Sequence, residues 1–151
     1  MVILTSREKQ VLNELLKDCK TSDQEIARRL KTSRPTIFKI RERLEKEGII
    51  RKYTAKLDYE KMGYDVEVII EIRVSKGRLL DVEKKIAMDP NVFAVYDTTG
   101  AFDAAILARF PTRRMMDNFL KRIQTYEFVE RTETRLILRT MKEENIGAVD
   151  L

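Results

Sequence analysis

The hydrophobic rhythm of the chain changes near residue 50. Before that point apolar side chains recur at helical spacing, and beyond residue 65 stretches appear in which they alternate as in half-buried strands. The first helical stretch runs from Ser6 to Cys19, with Val11, Leu12, Leu15, Leu16 and Cys19 as its stripe and Thr5 and Glu8 as a capping box. The second is short: Ser22 and Glu25 make another capping box, and Ile26, Ala27 and Leu30 form its buried face. The third is predicted from the N-cap Ser33 to Glu47, with Gly48 placed to end it. Ile37, Ile40 and Leu44 lie on one side of this helix. At about 100° per residue the opposite side carries Arg34, Pro35, Phe38, Lys39, Glu42 and Lys46, with Arg41 at the flank. Ile49 to Leu57 then reads as a β-prone stretch with Arg51 and Lys52 near its head.

Only Lys31-Thr32-Ser33 separates the second and third helices, so they must cross steeply. The small Ala27 permits close approach, and Ile37 fills the angle between them. This is the helix-turn-helix arrangement, whose second helix enters the major groove of DNA. Lys31 occupies a position where many such turns use Gly. If the turn requires positive φ there, Lys strains it by ~1 kcal/mol; otherwise the turn has another shape. A plain three-helix packing module is the competing reading, but the capping, the spacing and the outward Arg/Lys face favour DNA binding.

The second half repeats one order of elements. Val66, Val68, Ile70, Ile72 and Val74 alternate as a strand, followed by a helix from Arg78 to Met88 with Leu79, Val82 and Ile86 inward, and a strand from Val92 to Thr98. The order recurs as a strand from Phe102 to Phe110, a helix from Thr112 to Tyr126 and a strand from Phe128 to Met141. In that helix Met115, Met116, Phe119, Leu120 and Ile123 are read as core. Two β-α-β units make a ferredoxin-like βαββαβ sandwich, a four-stranded antiparallel sheet with both helices on one face. Its other face carries Ile69 of the first strand and Asp103, Ala105 and Leu107 of the third, or the complementary set; either way apolar residues remain there, which implies cover by a second copy of the chain. The expected class is α+β. The expected organisation is a winged-helix-like helix-turn-helix domain at 1–50, a β-strand or linker at 51–64, the sandwich at 65–141 and a loosely held tail at 142–151.

Charge sharpens this division. The 151 residues carry 30 Lys or Arg and 25 Asp or Glu, a net of +5 with a pI near 9.3. Residues 1–56 hold 15 basic and 8 acidic side chains, a net of +7, whereas residues 57–151 hold 15 and 17, a net of −2. Only the first part is suited to a polyanion. The absence of His excludes imidazole zinc sites and His-dependent triads, and Cys19, the single cysteine, excludes an intrachain disulfide or a Cys cluster. Cys19 itself is read as a small core residue at a helix end. No apolar run is long enough to span a bilayer and no apolar leader precedes the first charges, so a soluble cytoplasmic protein is expected. Charged residues at 36%, with three Gln and four Asn, lean toward a heat-tolerant source. Neither a catalytic set nor the stacked aromatics of an RNA-binding sheet are present, so an enzyme and an RNA-binding module are both disfavoured.

The succession Asp23-Gln24-Glu25-Ile26-Ala27, Ser33-Arg34-Pro35-Thr36-Ile37 and Arg41-Glu42-Arg43-Leu44-Glu45-Lys46-Glu47-Gly48-Ile49-Ile50 resembles the Lrp/AsnC, or feast/famine, family of bacterial and archaeal transcription regulators. Thr99-Gly100-Ala101-Phe102-Asp103 and Thr132-Glu133-Thr134 extend the resemblance over nearly the entire chain, and an archaeal member is expected. The resemblance implies a DNA-binding regulator that dimerises through its sheets, assembles into tetramers or octamers, responds to an amino acid and uses no cofactor.

On the DNA side, Arg34, Pro35 and Thr36 occupy the first turn of the recognition helix, the end that reaches base edges. Arg34 is assigned to a guanine, Thr36 to a base edge or thymine methyl, and Phe38 to an apolar contact. Lys39, Arg41, Ser22 and the N-terminus of the second helix are assigned to phosphates, and Ser33 belongs to the same DNA-contacting set. Two copies then read a near-palindromic site in double-stranded DNA.

On the ligand side, Thr98-Thr99-Gly100-Ala101-Phe102-Asp103 joins two strands, and Gly100 permits either a tight hairpin or exposed amides suited to a carboxylate. The resemblance implies the latter: an effector seated against this loop between dimers, with Asp103 pairing its amino group and Thr132, Glu133 and Thr134 supplied by a neighbouring subunit. Asp97, Asp103 and Glu133 tilt the expectation toward a polar or cationic amino acid such as lysine, arginine or glutamine. The rival is an architectural DNA-binding protein indifferent to small molecules.

Overall fold

A computed structural model describes residues 2–75 and 77–147. It divides the chain into two compact units, Met1–Lys56 with Lys142–Leu151, and Leu57–Met141. The boundary at 56/57 splits the expected 51–64 linker between them.

In the first unit, α1 spans Ser6–Lys17, α2 Asp23–Arg29 and α3 Arg34–Lys46. The Thr5 capping box closes in both directions: Glu8 N–H donates to Thr5 Oγ1 at 3.3 Å and Thr5 N–H to Glu8 Oε2 at 2.8 Å. At α2 only half the expected box forms. Ser22 Oγ accepts from Glu25 N–H at 3.2 Å, but the Glu25 carboxylate binds Arg28 and Arg29 instead of reaching back. Val11, Leu15, Ile26, Ala27 and Ile37 form the core, with Leu30, Ile40 and Ile50 against it.

The stripe on α1 needs correction. The helix stops at Lys17 with Asp18 extended, so Cys19 lies beyond it and is half-buried rather than in the core. Leu16 is exposed, while Glu8 and Glu14 are buried. Each buried acid has a cationic partner from another helix: Arg43 pairs with Glu8, and Arg29 reaches Glu14 at 2.8 Å. Those partners make burial of the charges tolerable.

Two turns in this unit share one geometry. After α2, Lys31 N–H donates to Arg28 O and Thr32 N–H to Ala27 O. After α3, Gly48 N–H donates to Glu45 O and Ile49 N–H to Leu44 O. Both are Schellman motifs, which require a left-handed residue just past the helix. Gly48 fills that position with φ 68°, and Lys31 fills its counterpart with φ 51°. The turn therefore does need positive φ, and Lys31 strains it by ~1 kcal/mol.

The β-prone stretch from Ile49 to Leu57 is not a strand. Its residues are β-prone, but it makes no ladder bonds with any strand among the described residues. Tyr53 instead folds back on α3, its hydroxyl donating to Glu45 Oε1 at 2.8 Å. The described tail, 142–147, is exposed and without helix or strand, and Lys56 Nζ donates to Glu143 O. Residues 148–151 of the expected tail lie outside the described residues.

The second unit is the expected sandwich: β1 Val66–Val74, α4 Leu79–Ala87, β2 Val92–Asp97, β3 Ala104–Phe110, α5 Arg113–Gln124 and β4 Val129–Leu136. The sheet order is β2-β3-β1-β4, antiparallel throughout. Val66, Val68, Ile70, Ile72 and Val74 of β1 and Ala104, Ile106, Ala108 and Phe110 of β3 pack with Val82 and Ile86 of α4 and Phe119 and Ile123 of α5. Met115, expected in that core, is 43% exposed. β4 ends at Leu136 and not at Met141. Ile137 N–H makes the last bond, to Glu67 O, and β1 begins one residue earlier, leaving later residues nothing to pair with.

The face of the sheet away from the helices carries Ile69 opposite Leu107 and Glu71 opposite Ala105. Tyr96 lies beside Ala105 and is 56% exposed. Charged side chains frame this strip. Arg109 binds Glu67 at 3.1 Å and lies over the rings of Phe93 and Tyr59, and Arg135 binds Glu71 at 2.7 Å.

Candidate functional site

The buried Ile37 and Leu44 fix which side of α3 meets solvent. Arg34, Pro35, Thr36, Phe38 and Lys39 are all exposed on that side, Phe38 to 57%. Arg34 and Lys39 have no ion-pair partner among the described residues. The Ser33 hydroxyl caps the helix, accepting from Thr36 N–H at 3.3 Å, and shares a 2.7 Å hydrogen bond with the Thr36 hydroxyl. With its hydroxyl held at the cap, Thr36 has its methyl left as the group to offer a partner.

Ser22 is exposed at the N-terminus of α2. Arg41 differs from the other residues of this set. It is half-buried, its guanidinium binds Asp23 Oδ1 at 2.6 Å, and its Nε donates to the Tyr53 hydroxyl at 3.3 Å. Burial lowers the Arg41 pKa, but the bonds to Asp23 and Tyr53 outweigh it and raise the pKa overall. Arg41 thus ties α3 to α2. Tyr53 was not legible as its partner, because a contact across 12 residues leaves no mark in local periodicity.

The loop between β2 and β3 is closed from within. Thr98 N–H donates to Asp103 O at 2.9 Å and the Thr98 hydroxyl to Phe102 O at 3.2 Å. Thr99, Gly100 and Ala101 are exposed at its tip, and Gly100 has φ 120°. Asp103 is tied to β1 at both ends: its N–H donates to Ile72 O, and its Oδ2 accepts from Val74 N–H at 2.8 Å, beside the irregularity between Arg73 and Val74. One carboxylate oxygen is therefore engaged by the fold itself.

Asp97 sits opposite Ala104, on the helix side of the sheet, close enough to Glu83 of α4 to raise that carboxyl's pKa together with burial, the larger cause. Thr132, Glu133 and Thr134 are on β4, one strand beyond β1 from the loop strand β3. They do not converge: Thr132 and Thr134 pair with the core-facing Ile72 and Ile70, while Glu133 pairs with Glu71 on the other face and binds Arg135 at 2.8 Å. In one chain, strand alternation prevents the three from lining a single pocket. The link between β4 and the loop is instead Arg131, whose guanidinium lies 5.5 Å from the Phe102 ring.

Two family patterns match the chain, winged helix-turn-helix DNA-binding at residues 4–51 and Lrp/AsnC ligand binding domain at residues 67–146. An uncharacterised HTH-type transcriptional regulator of Pyrococcus horikoshii is 38% identical over 141 residues, covering 93% of this chain and 95% of its own. The HTH-type transcriptional regulator FL11 of Pyrococcus furiosus is 33% identical over 141 residues, 93% of each chain. Among solved structures, AsnC of E. coli shares the fold with a TM-score of 0.90 at 23% identity, over 97% of this chain and 99% of its own. A Neisseria meningitidis transcriptional regulator in complex with L-Met shares it with a TM-score of 0.88 at 18% identity, over 98% and 97%.

Proposed function

The chain belongs to the Lrp/AsnC family of HTH-type transcriptional regulators, and from that membership we propose a sequence-specific regulator whose assembly or DNA binding responds to an amino-acid effector. The observation that carries the DNA half is the solvent face of α3, where Arg34 and Lys39, without an ion-pair partner among the described residues, stand on either side of Phe38. Arg34 reads a guanine, the Thr36 methyl and Phe38 meet thymine methyls, and Lys39 and Ser22 hold phosphates. Arg41 supports this surface by bracing α3 against α2, and its own phosphate contact is secondary. The protein acts in the cytoplasm and has no catalytic role.

The apolar strip of Ile69, Leu107 and Tyr96 supports a homodimer formed through the sheets, which then closes into tetramers or octamers. Two recognition helices related by a two-fold axis read a near-palindromic duplex. About 6–10 phosphate contacts imply a loss of about 10³–10⁵ in affinity between roughly 50 and 200 mM salt.

The effector half rests on the exposed tip Thr99-Gly100-Ala101, with its amides open to a carboxylate, and on the L-Met complex of the Neisseria regulator. The preference for a polar or cationic amino acid rests on Asp97, Asp103 and Glu133, of which Asp103 already accepts from Val74 N–H and Glu133 already binds Arg135 within the chain. One observation favours a ligand-independent architectural protein instead: Thr132, Glu133 and Thr134 do not face one pocket in a single chain.

Selection of bound duplexes from a random pool, with and without the twenty amino acids, decides between the two. The expected result is a near-palindromic motif whose enrichment shifts with the mixture. A motif indifferent to the mixture favours the ligand-independent reading, no enrichment overturns sequence-specific recognition, and failure to retain any duplex overturns both.

A further inference from the structure

Lys31 is a non-glycine residue at positive φ, in a turn that the rest of the unit holds rigidly. Thr32 N–H and Lys31 N–H close the Schellman pair onto α2, and Arg7 Nη1 of α1 donates to Leu30 O at 2.6 Å. The conformation is therefore imposed by three hydrogen bonds, two onto α2 and one from α1, and the Lys31 side chain takes no part in any of them. The chain itself supplies the comparison, because the same bonding pattern after α3 is filled by Gly48. Glycine serves that geometry without strain, so a lysine in that position points to a use for the side chain.

Its surroundings indicate the use. Lys31 is exposed and has no ion-pair partner among the described residues, whereas Arg28, Arg29, Arg41 and Arg43 nearby are all bound to carboxylates. The last turn of α2 already holds Arg28 and Arg29 opposite the helix dipole, so a third cation adds little there. Lys31 also leaves the chain three residues before Arg34, at the end of α3 that enters the groove.

We propose that Lys31 is a phosphate-contacting residue of the DNA interface, kept in a strained backbone position because its ammonium group bridges the turn to the phosphate backbone beside the groove. This rests on the DNA reading above and adds a contact that carries no sequence preference.

The test is the full-length K31G chain, with K31R as its partner. Each is titrated with the duplex selected by the wild type and with an unrelated duplex of equal length, over a series of salt concentrations, and its thermal unfolding is recorded. K31G is expected to raise Tm by about 2–4 °C while weakening both duplexes by a similar factor. A slope of about −0.9 per phosphate makes one lost contact worth about 8-fold at roughly 0.1 M salt, and lowers the salt dependence by about 0.9 per chain bound. K31R is expected to keep wild-type affinity, salt slope and Tm.

Unchanged affinity and salt slope in K31G, or a fall in its Tm, overturns the proposal, the second because the lysine would then be serving the fold. Failure of the wild-type chain to bind either duplex would strike the DNA reading itself, and is distinguished by the wild-type titration in the same series.

Discussion

Glu8 is 3% exposed, accepts from Thr5 at the start of α1 and pairs with Arg43 of α3, so one carboxylate joins two helices of the DNA-binding unit. Glu8→Ala removes both links and leaves Arg43 unpaired. It should destabilise the protein by about 2–3 kcal/mol in urea unfolding. Burial pushes the Glu8 pKa up, but the bonds from Thr5 and the Arg43 charge outweigh it and hold it below the ordinary 4.5. Glu25 is drawn down to about 2 by hydrogen bonds from Arg28 and then Arg29. Carboxylates lowered in the folded state stabilise it fully above pH 4.5 and lose that contribution as pH falls through their folded values. Unfolding midpoints should therefore decline below pH 4.5, and Glu8→Gln should decline less than the wild type. On the recognition face, Arg34→Ala should relax base preference and Lys39→Ala should weaken all duplexes about equally, measured by competition between specific and unrelated DNA. Equal losses on every sequence for both variants would remove Arg34 from base reading. Residues such as Glu8 and Glu14 could not be recognised as buried from the sequence, because their partners Arg43 and Arg29 lie 35 and 15 residues away.

Elements were legible where their cause is local. The Thr5 and Ser33 caps, Gly48 after α3 and the alternation of β1 each carry their reason within a few residues, and each is found where expected. Elements whose extent depends on a neighbour were misjudged. The stretch after Ile50 has strand-forming residues but makes no ladder bonds with any strand among the described residues, and β4 runs only as far as β1 can pair with it. The loop from Thr98 to Asp103 shows both sides: Gly100 was legible as a special position, whereas the bond from Val74 N–H to Asp103 was not. At φ 120° any side chain is strained, although open space surrounds the position. Gly100→Val should therefore abolish the effector's influence on DNA binding while the far-ultraviolet circular dichroism of the chain stays native. An intact response would remove this loop from the effector site.

For the whole molecule, the change of net charge from +7 over residues 1–56 to −2 over residues 57–151 falls at the same point, 56/57, at which the chain passes from one compact unit to the other. The open sheet face bears on assembly. Ile69 and Leu107 are directly paired in the sheet, so Ile69→Arg or Leu107→Glu places a charge at the centre of the apolar strip and should shift the protein toward monomer in sedimentation experiments. Undiminished assembly in both variants would exclude this face as the dimer surface. Over Val66–Ile72, β1 is occupied on both sides. Its even-numbered residues close the core under α4 and α5, while Glu67, Ile69 and Glu71 between them hold ion pairs or the centre of the strip. A stretch committed on both surfaces has almost no neutral substitutions available. A polar or bulky substitution anywhere along it therefore meets either the core or the strip, so this strand is where the unit is least able to absorb a change without losing stability or assembly.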